Sequence, residues 1–314
     1  MSRGSEIFAA IDVGSHSCKL IVSERLADGT WQRQLERVVV TELGLGVPAR
    51  DGLHADGARR TLEALSDFAA ICGQHGVEGV VAAGTAVLRS AADAARFVLR
   101  VHEETGLPLM VISGDDEARL TYLGAVTGLP PVEDAGLDLA FDVGGRSTEL
   151  AWGRERRSSG RHSFDLGTIS LTEDHGLHTA APRTAVDEAL GRMSQALDAL
   201  PELPPIRRLV GIGATPGSLL ALNLARDVAD SLEVHGLPLS LPLVEEQLEK
   251  LRDLSTDERR SLPGLHPGRA SVILAGAVIV AAVARRWGRV PLMISATGLR
   301  EGLLTARFGS SAGA

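Results

Sequence analysis

The sequence predicts an α/β protein built from two similarly organised halves. Both halves begin with short apolar strands joined by tight turns, which favours an antiparallel meander. Helix-like stretches then alternate with single apolar strands, which favours a sheet covered by helices. The third observation is a short internal repeat: Asp12-Val-Gly-Ser-His-Ser near the start and Asp142-Val-Gly-Gly-Arg-Ser near the middle, each between two apolar strands.

The first half is predicted to contain a meander followed by alternating helices and strands. Strands are expected at 7–11, 18–24, 35–42, 77–83 and 109–112, and helices at 55–71, 91–104 and 113–125. The last helix begins with Ser113, and Asp116 three residues later completes a capping pattern. The Gly- and Pro-containing stretch 128–136 is the best candidate for a linker.

The second half repeats this organisation. Strands are expected at 137–141, 148–153, 161–167, 207–212 and 290–295, and helices at 183–199, 214–225, 242–253, 267–286 and 297–307. The longest apolar run, 270–284, is shorter than the roughly 20 residues that span a bilayer. We therefore interpret it as a buried helix.

Composition excludes several classes of protein. The 314 residues are 44% hydrophobic and 23% charged, which is typical of a folded globular chain. A net charge of −8 argues against a nucleic-acid binder with a broad basic face. Cys18 and Cys72 form no disulfide framework or metal-ligand spacing, and the first residues lack the apolar stretch of a signal peptide. We expect a cytoplasmic protein without nucleic-acid or membrane partners.

The two repeated loops carry the residue types that bind phosphate. Gly allows close backbone approach, consecutive N–H groups form an anion-binding nest, and Ser hydroxyls add donors. Asp12 and Asp142 end the strands before the loops, where an aspartate needs a cation between itself and a phosphate. One such loop alone is more typical of an ordinary hairpin turn rich in Gly and Ser, but two copies favour a phosphate clamp.

A third Gly-rich segment, Gly211-Ile-Gly-Ala-Thr-Pro-Gly, follows a strand and opens a helix. Its backbone N–H groups and the helix dipole favour an anion, and Gly213 is the candidate contact. The segment superficially resembles a dinucleotide fingerprint. However, Pro216 stands where the third Gly belongs, so a Rossmann domain is disfavoured.

Taken together in order and spacing, the motifs resemble the exopolyphosphatase/guanosine-pentaphosphate phosphohydrolase (Ppx/GppA) family in its short two-domain form. The resemblance covers almost the whole chain. It rests on DVGSHSCKL (12–20), GTAVLR (84–89), SGDDEARLTYLG (113–124), DVGGRSTEL (142–150), DLGTISLTE (165–173), GIGAT (211–215), VHG (234–236), PGLHPGRASVILAGA (263–277) and GLREGLL (298–304).

The resemblance implies roles for the matching residues. Glu117 would be the general base that activates water, and Arg89 would bind phosphate or stabilise the transferring group. Asp142 and Glu149, with Asp12, would lie near Mg²⁺ or another divalent cation. Phosphate contacts are expected from the polar and small residues of the motifs: Gly14, Ser15, His16, Ser17, Thr85, Gly144, Gly145, Arg146, Ser147, Thr148 and Gly213.

The resemblance also implies a fold and an activity. The fold would be two actin-like (ribonuclease H-like) lobes of the ASKHA superfold with a cleft between them. Lobe I would span 1–126, with the C-terminal helix 297–314 packing back on it, and lobe II would span 127–296. The activity would be release of orthophosphate from the end of inorganic polyphosphate, processively or stepwise.

Three alternatives stay open at this point. Guanosine pentaphosphate and tetraphosphate are further candidate ligands, and a homodimer is compatible with the sequence. The protein could instead be an alarmone- or polyphosphate-binding regulator with little turnover. A kinase of the same superfold is disfavoured, because no convincing nucleotide pocket is visible in the sequence.

Four positions depart from the family pattern: Lys19, Arg146, Ser271 and Ala296. Arg146 is the clearest departure, because the pattern has Gly there. We expect Arg146 to keep a negative φ, since a side chain makes positive φ costly. Its side chain is expected either to project toward the mouth of the cleft or to point into solvent without a ligand role.

Overall fold

The computed structural model describes residues 6–44, 52–228, 230–288 and 290–309. The chain forms two compact units. The first unit contains the chain up to Gly124 together with the chain from Leu299 onward. The second unit is continuous and runs from Ala125 to Gly298.

The first unit is a mixed five-stranded sheet with helices on both faces. Its order is β3-β2-β1-β4-β5; the first three strands are antiparallel, and β4 and β5 continue parallel to β1. The elements are β1 (Glu6–Val13), β2 (Ser17–Arg25), β3 (Trp31–Val40), α1 (Ala55–Gln74), β4 (Gly79–Gly84), α2 (Ala86–Ser90), α3 (Ala94–Thr105), β5 (Leu109–Val111) and α4 (Gly114–Val126), with the last helix of the chain, α11 (Leu299–Phe308), added from the far end of the sequence.

The helix α11 closes one face of this sheet. Phe308 stacks on Phe8 with ring centroids 4.4 Å apart, and Leu303 and Leu304 pack in the same cluster as Phe8. A Cβ at Gly302 would lie 1.8 Å from the backbone oxygen of Leu120, so glycine allows α11 to approach α4. The helix is therefore part of the core of the first unit.

The second unit has the same design. Its sheet order is β10-β9-β6-β7-β8, with β6, β7 and β8 antiparallel and β9 and β10 parallel to β6. The elements are β6 (Leu137–Val143), β7 (Thr148–Arg154), β8 (Arg157–Phe164), α5 (Thr168–His175), α6 (Arg183–Asp198), β9 (Ile206–Ile212), α7 (Ala214–Leu224), α8 (Leu241–Arg252), α9 (Thr256–Arg260), α10 (Ile273–Arg286) and β10 (Leu292–Ser295). The repeat seen in the sequence is thus a repeat of sheet topology.

The helix α10 forms the centre of the second unit. Every residue from Ile273 to Ala284 is buried, as the apolar run predicts. The prediction that this helix starts at residue 267 is wrong. Residues 267–269 form a separate 3₁₀ turn, because Pro267 starts it and the His266 ring accepts a hydrogen bond from Gly268 N. No helix in the described part of the chain is long and apolar enough to cross a membrane.

Candidate functional site

Each unit has one hairpin loop that contains candidate site residues, and the two loops have the same closing hydrogen bond. Gly14 N donates to Ser17 O at 3.0 Å between β1 and β2, and Gly144 N donates to Ser147 O at 2.9 Å between β6 and β7. The sequence repeat therefore produces two loops of the same local structure, one at the end of each sheet's central strand.

The first loop is held in place by hydrogen bonds from the segment that follows β3. Thr41 N and Glu42 N both donate to His16 O, at 3.0 and 2.9 Å, and Gly44 N donates to Ser15 O at 3.0 Å. In a trans peptide the N–H points opposite to the C=O. The N–H groups of His16 and Ser17 therefore point away from this segment, on the exposed side of the loop.

The second loop is braced in the same way by the start of α5. Thr168 N donates to Gly144 O at 2.9 Å, and Ile169 N donates to Gly145 O at 2.7 Å. By the same trans-peptide geometry, the N–H groups of Gly145 and Arg146 point away from α5. The helix N-terminus thus orients the loop, and the loop presents its own donors outward.

Gly167 makes this bracing possible. A Cβ at Gly167 would lie 2.5 Å from the carbonyl carbon and oxygen of Gly145 and 2.6 Å from Arg146 N. Because all three are backbone atoms, a larger residue would have to displace the loop. The motif at 165–173 contains this glycine, but the motif alone does not indicate that the glycine supports the loop between β6 and β7.

An acidic residue ends the central strand of each sheet, and its neighbour across the ladder has a different charge in the two units. Asp12 pairs across the ladder with Lys19, and their charged atoms are 3.6 Å apart. Asp142 pairs at the equivalent place with Glu149. Directly opposed residues on antiparallel strands share one face. Across the ladder, the carboxylate in the first unit therefore faces a cation, whereas the carboxylate in the second unit faces another carboxylate.

This carboxylate pair is the best-placed group for a divalent cation. Among the described residues, no three His, Cys, Asp or Glu side chains gather closely enough to hold a metal by themselves. Mg²⁺ typically takes one or two protein carboxylates and completes its shell with water and substrate phosphate. Asp142 and Glu149 fit that requirement, and the Ser163 hydroxyl donates to Glu149 Oε1 at 3.2 Å to orient it.

Arg269 joins the same site, although sequence reasoning gave it no role. Its Nη2 donates to Thr215 Oγ1 at 2.8 Å, while its buried Nε has no hydrogen-bond partner among the described residues. Burial lowers the pKa of Arg269, and the nearby Asp142 carboxylate partly opposes this. Gly213, with φ of +80°, would place a Cβ 3.6 Å from Asp142 Oδ1. The Arg in the motif at 263–277 was the available signal.

In the first unit, Arg89 and Glu117 are in direct contact. Arg89 Nη1 donates to Glu117 Oε2 at 2.6 Å and to Ile112 O at 3.2 Å. Thr85 precedes α2 next to the first loop, and its backbone N–H donates to Val13 O at 3.2 Å. The short helix α2 therefore carries Arg89 from the edge of the loop to Glu117.

The start of α4 holds Glu117 in the first turn of a well-capped helix. Asp116 N donates to Ser113 Oγ at 3.0 Å, and Ser113 Oγ donates to Asp116 Oδ2 at 2.9 Å, so the predicted capping pattern is confirmed. The Ser113 hydrogen bond and then Arg119 lower the pKa of Asp116. This cap fixes the backbone on which Glu117 stands.

Arg146 projects from the second loop along α5. It is not among the described non-glycine residues with positive φ, so the expected negative φ is confirmed. Its Nη1 donates to Glu173 Oε2 at 2.7 Å and its Nη2 donates to Glu173 Oε1 at 3.3 Å. The guanidinium is thus paired in a two-pronged contact with a carboxylate.

The remaining loop residues differ in accessibility. Ser15 and His16 are exposed, and Gly14, Ser17, Gly145 and Ser147 are half-buried. Thr148 is fully buried, and its hydroxyl donates to Leu166 O at 2.6 Å. In this structure Thr148 supports the loop through this buried hydrogen bond. The composition of the loop alone does not predict that role.

These features define a phosphate-handling protein of the two-lobe, actin-like α/β type, as the sequence predicted. Comparison with protein-family models identifies the family to which the chain belongs. The model of the Ppx/GppA phosphatase family matches residues 25–310, and the chain belongs to this family.

Three curated relatives show the range of the family. Exopolyphosphatase 2 of Mycobacterium tuberculosis is 30% identical over 319 residues, covering 96% of this chain and 98% of the relative. A guanosine-5'-triphosphate,3'-diphosphate pyrophosphatase of Vibrio cholerae is 28% identical over 96% of this chain. A bifunctional 3-dehydroquinate synthase/phosphatase of Fusobacterium nucleatum is 23% identical over 91% of this chain. The chain spans 59% of the Vibrio protein and 44% of the Fusobacterium protein.

A solved structure confirms the fold. The chain is similar to the Aquifex aeolicus member of the Ppx/GppA family with a TM-score of 0.88 and 28% sequence identity. The match covers 99% of this chain and 100% of the Aquifex chain. Both units of the present protein therefore have counterparts in that structure.

Proposed function

We propose that this protein is an exopolyphosphatase that releases orthophosphate from the end of inorganic polyphosphate. The observation that carries the proposal is the contact of Arg89 with Glu117, 2.6 Å apart, because it joins a phosphate-binding cation to a general base. The name of the Mycobacterium tuberculosis relative, which matches almost end to end, supports the same activity.

In the proposed reaction Glu117 accepts a proton from water. The water oxygen forms a bond to the terminal phosphorus, and the bond from that phosphorus to the bridging oxygen breaks. Orthophosphate and a chain one phosphate shorter are the products. Arg89 lies where it can stabilise negative charge on the transferred group, and its bond to Ile112 O holds it in place.

The loops are proposed to bind the phosphate oxygens. Their outward N–H groups, at His16 and Ser17 in the first unit and at Gly145 and Arg146 in the second, supply fixed donors. Ser15 and Ser147 add hydroxyl groups, and Arg269 adds a partly buried cation whose Nε has no hydrogen-bond partner within the described ranges. Fixed donors cost no rearrangement when the negative charge develops.

A divalent cation, Mg²⁺ or another, is proposed as the cofactor. Asp142 and Glu149 would hold it, because these two carboxylates lie directly opposite each other on β6 and β7, whereas Asp12 lies opposite Lys19 on β2. When bound, it would offset the repulsion between these carboxylates and a polyanionic substrate. An excess of chelator is therefore expected to abolish phosphate release.

Guanosine pentaphosphate is a second candidate substrate. The Vibrio cholerae relative is named for guanosine-5'-triphosphate,3'-diphosphate, and its similarity covers 96% of the present chain. Removal of the terminal phosphate to leave guanosine tetraphosphate would use the same base and the same loops. The two substrates differ in the group attached beyond the reacting phosphates.

One side-by-side assay tests this function. Phosphate release is measured with Mg²⁺ from short polyphosphate, long polyphosphate and guanosine pentaphosphate. Glu117→Gln is expected to retain the fold and to lose turnover by about 10²- to 10⁴-fold, the range for a general base. Asp115→Asn is the matched control, since it removes the same charge two residues away.

Two results would contradict the proposal. Wild-type turnover by Glu117→Gln would show that Glu117 is not the base. Tight polyphosphate binding without phosphate release by the unmodified protein would favour a binding regulator.

A further inference from the structure

Arg146 stands in a phosphate loop at a position where the family pattern has glycine, and it has a defined partner. Both nitrogen contacts go to Glu173 on α5, at 2.7 and 3.3 Å. The side chains are 69% and 56% exposed. Nothing else in the described residues forms a hydrogen bond or an ion pair with this guanidinium, so Glu173 alone fixes its position.

An exposed ion pair of this kind is easily exchanged. Water screens the attraction, and both long side chains lose conformational freedom when they pair. The guanidinium can therefore leave Glu173 at low cost if a stronger anion comes close. Polyphosphate is such an anion, because guanidinium groups bind phosphate oxygens in the same two-pronged geometry as a carboxylate.

The backbone of Arg146 is already part of the surface that faces a ligand. Its own N–H points away from α5, because the preceding carbonyl accepts the hydrogen bond from Ile169 N. A phosphate bound at the loop therefore lies on the side of the residue opposite the helix. To reach a phosphate next to the bound one, the guanidinium would have to leave Glu173 by rotation about the torsions of its own side chain.

We propose that Arg146 is an exchangeable phosphate ligand and that Glu173 is its resting partner. In the free protein Glu173 holds the guanidinium against α5, and a bound phosphate chain takes it over. Glu173 thus competes with the substrate for Arg146 and weakens substrate binding. This inference rests on the proposed function, since it concerns the same loop and the same class of ligand.

Four variants test the exchange. Glu173→Gln frees the guanidinium and is expected to lower KM for polyphosphate by about two- to fivefold, the range for loss of an exposed ion pair. Arg146→Gly is expected to raise KM several-fold, and Arg146→Lys should restore only part of the loss because an ammonium lacks the two-pronged geometry. In the double variant Arg146→Gly/Glu173→Gln, KM should equal that of Arg146→Gly.

Asp174→Asn is the matched control. Asp174 is the next residue of α5 and pairs with Arg192, so the substitution removes the same charge from the same helix. It is expected to leave KM unchanged. Thermal melting of each variant shows whether the fold is retained, which is expected because the three substituted side chains, Arg146, Glu173 and Asp174, are exposed.

Specific outcomes would overturn the exchange. Equal effects of Glu173→Gln and Asp174→Asn would show a general charge effect of α5. A lower KM from Glu173→Gln in the Arg146→Gly background would show that Glu173 acts without Arg146. Unchanged KM in Glu173→Gln and in Arg146→Gly would show that the ion pair is a surface contact without a ligand role.

A binding titration separates this inference from the proposed function. Dissociation constants for tripolyphosphate are measured with the same variants in the absence of turnover. If the wild type binds but releases no phosphate, the exopolyphosphatase proposal fails, while the same order of Kd values would still support exchange. An order of Kd values that does not depend on Arg146, or no binding at all, would overturn the exchange itself.

Discussion

At the scale of single residues, the candidate site depends on backbone contacts that cannot be predicted from the residue type alone. Gly167 is an example, because its missing side chain leaves room for the peptide between Gly145 and Arg146. Its φ of −134° is open to any residue, so the requirement is for space and not for conformation. The loop and the start of α5 can hydrogen-bond only because this space exists.

Gly167→Ala is therefore expected to displace the second loop. A Cβ would lie 2.5 Å from backbone atoms, so the Gly144 and Gly145 carbonyls would lose their hydrogen bonds to α5. We expect KM for polyphosphate to rise by about tenfold or more, as for a misplaced positioning contact. Steady-state phosphate release measures it.

Gly191→Ala provides the matched control for this substitution. Gly191 lies in α6, and a Cβ there would meet nothing within 4 Å. Alanine in place of glycine within a helix stabilises by about 0.5–1 kcal/mol. The variant should melt slightly higher with unchanged KM. If Gly167→Ala behaves in the same way, the loop does not depend on this close approach.

Sequence patterns identified the loop residues and left Arg269 without a role. Asp142, Gly144 and Glu149 follow directly from strand ends and a tight turn, which are local features. Arg269 reaches Thr215 and the vicinity of Asp142 only through the packing of the 3₁₀ turn at 267–269 against the start of α7. The motif at 263–277 contains this arginine, but a local motif does not show which distant residues the side chain contacts.

At the scale of elements, a buried arginine joins three segments of the second unit. Arg259 on α9 is fully buried, and among the described residues its side chain donates only to backbone carbonyls: Leu251 O at 3.0 Å, Leu177 O at 2.9 Å, Thr179 O at 2.7 Å and Ala270 O at 3.4 Å. Burial lowers its pKa to about 10. The guanidinium therefore supplies hydrogen-bond donors to carbonyl groups at the end of α8 and after α5, where the helices provide no further backbone N–H groups.

Arg259→Met is expected to destabilise the protein by about 3 kcal/mol, because the buried carbonyls lose their donors. That corresponds to a thermal midpoint roughly 6 to 12 °C lower. Arg260→Met is the control, since the next side chain is exposed and pairs only with Asp257 on the same short helix. The control should change the midpoint little; equal losses would mean that the carbonyl contacts contribute nothing.

A second element-scale contact fastens α11 to β3. Glu36 accepts hydrogen bonds from Arg300 and, at 2.8 Å, from Arg33. Burial by itself raises the pKa of Glu36, but Arg300 and then Arg33 outweigh it, so the pKa lies below its ordinary value of 4.5. A carboxyl group with a depressed pKa stabilises the fold above its unfolded pKa, and this stabilisation is lost as the pH falls through the folded pKa.

Glu36→Gln should therefore lower stability by about 1 kcal/mol at pH 7. The difference from the wild type should shrink as the pH falls below 4.5, where Glu36 itself becomes protonated. Denaturant unfolding at several pH values measures it. Glu63→Gln, which removes an exposed carboxylate on α1, is the control, and a difference independent of pH would contradict the role of the Glu36 charge.

The elements were predicted well where periodicity is strong and poorly where short helices depend on packing. Both meanders and the buried run of α10 were predicted correctly in type. The eight-residue α5 and the five-residue α9 were not predicted, since they have too few turns for a periodic pattern. The helix expected over 91–104 is confirmed as α3 (Ala94–Thr105), and the five-residue α2 (Ala86–Ser90) just before it was not predicted.

At the scale of the whole molecule, the first unit is assembled from both ends of the described chain. A chain of residues 1–124 lacks α11 and leaves the cluster around Phe8 uncovered. We expect this fragment to show no cooperative thermal transition. The same fragment with residues 299–309 attached through a flexible Gly/Ser linker should regain one.

Gly302→Leu in the linked fragment is the control. Because a Cβ at this position would lie 1.8 Å from Leu120 O, the helix would be present but unable to dock. Circular dichroism and thermal melting distinguish the three chains. Cooperative melting of residues 1–124 alone, or of the Gly302→Leu chain, would show that the first unit does not need α11.

The position of α11 also sets an order of events during synthesis of the chain. The ribosome makes β1 to β5 first, then all of residues 125–298, and only afterwards the helix that covers Phe8, Ala10 and Ile21. The second unit is continuous and can be completed as it emerges. The first unit is therefore begun before the second unit and completed after it, and its apolar face is available to chaperones until α11 leaves the ribosome.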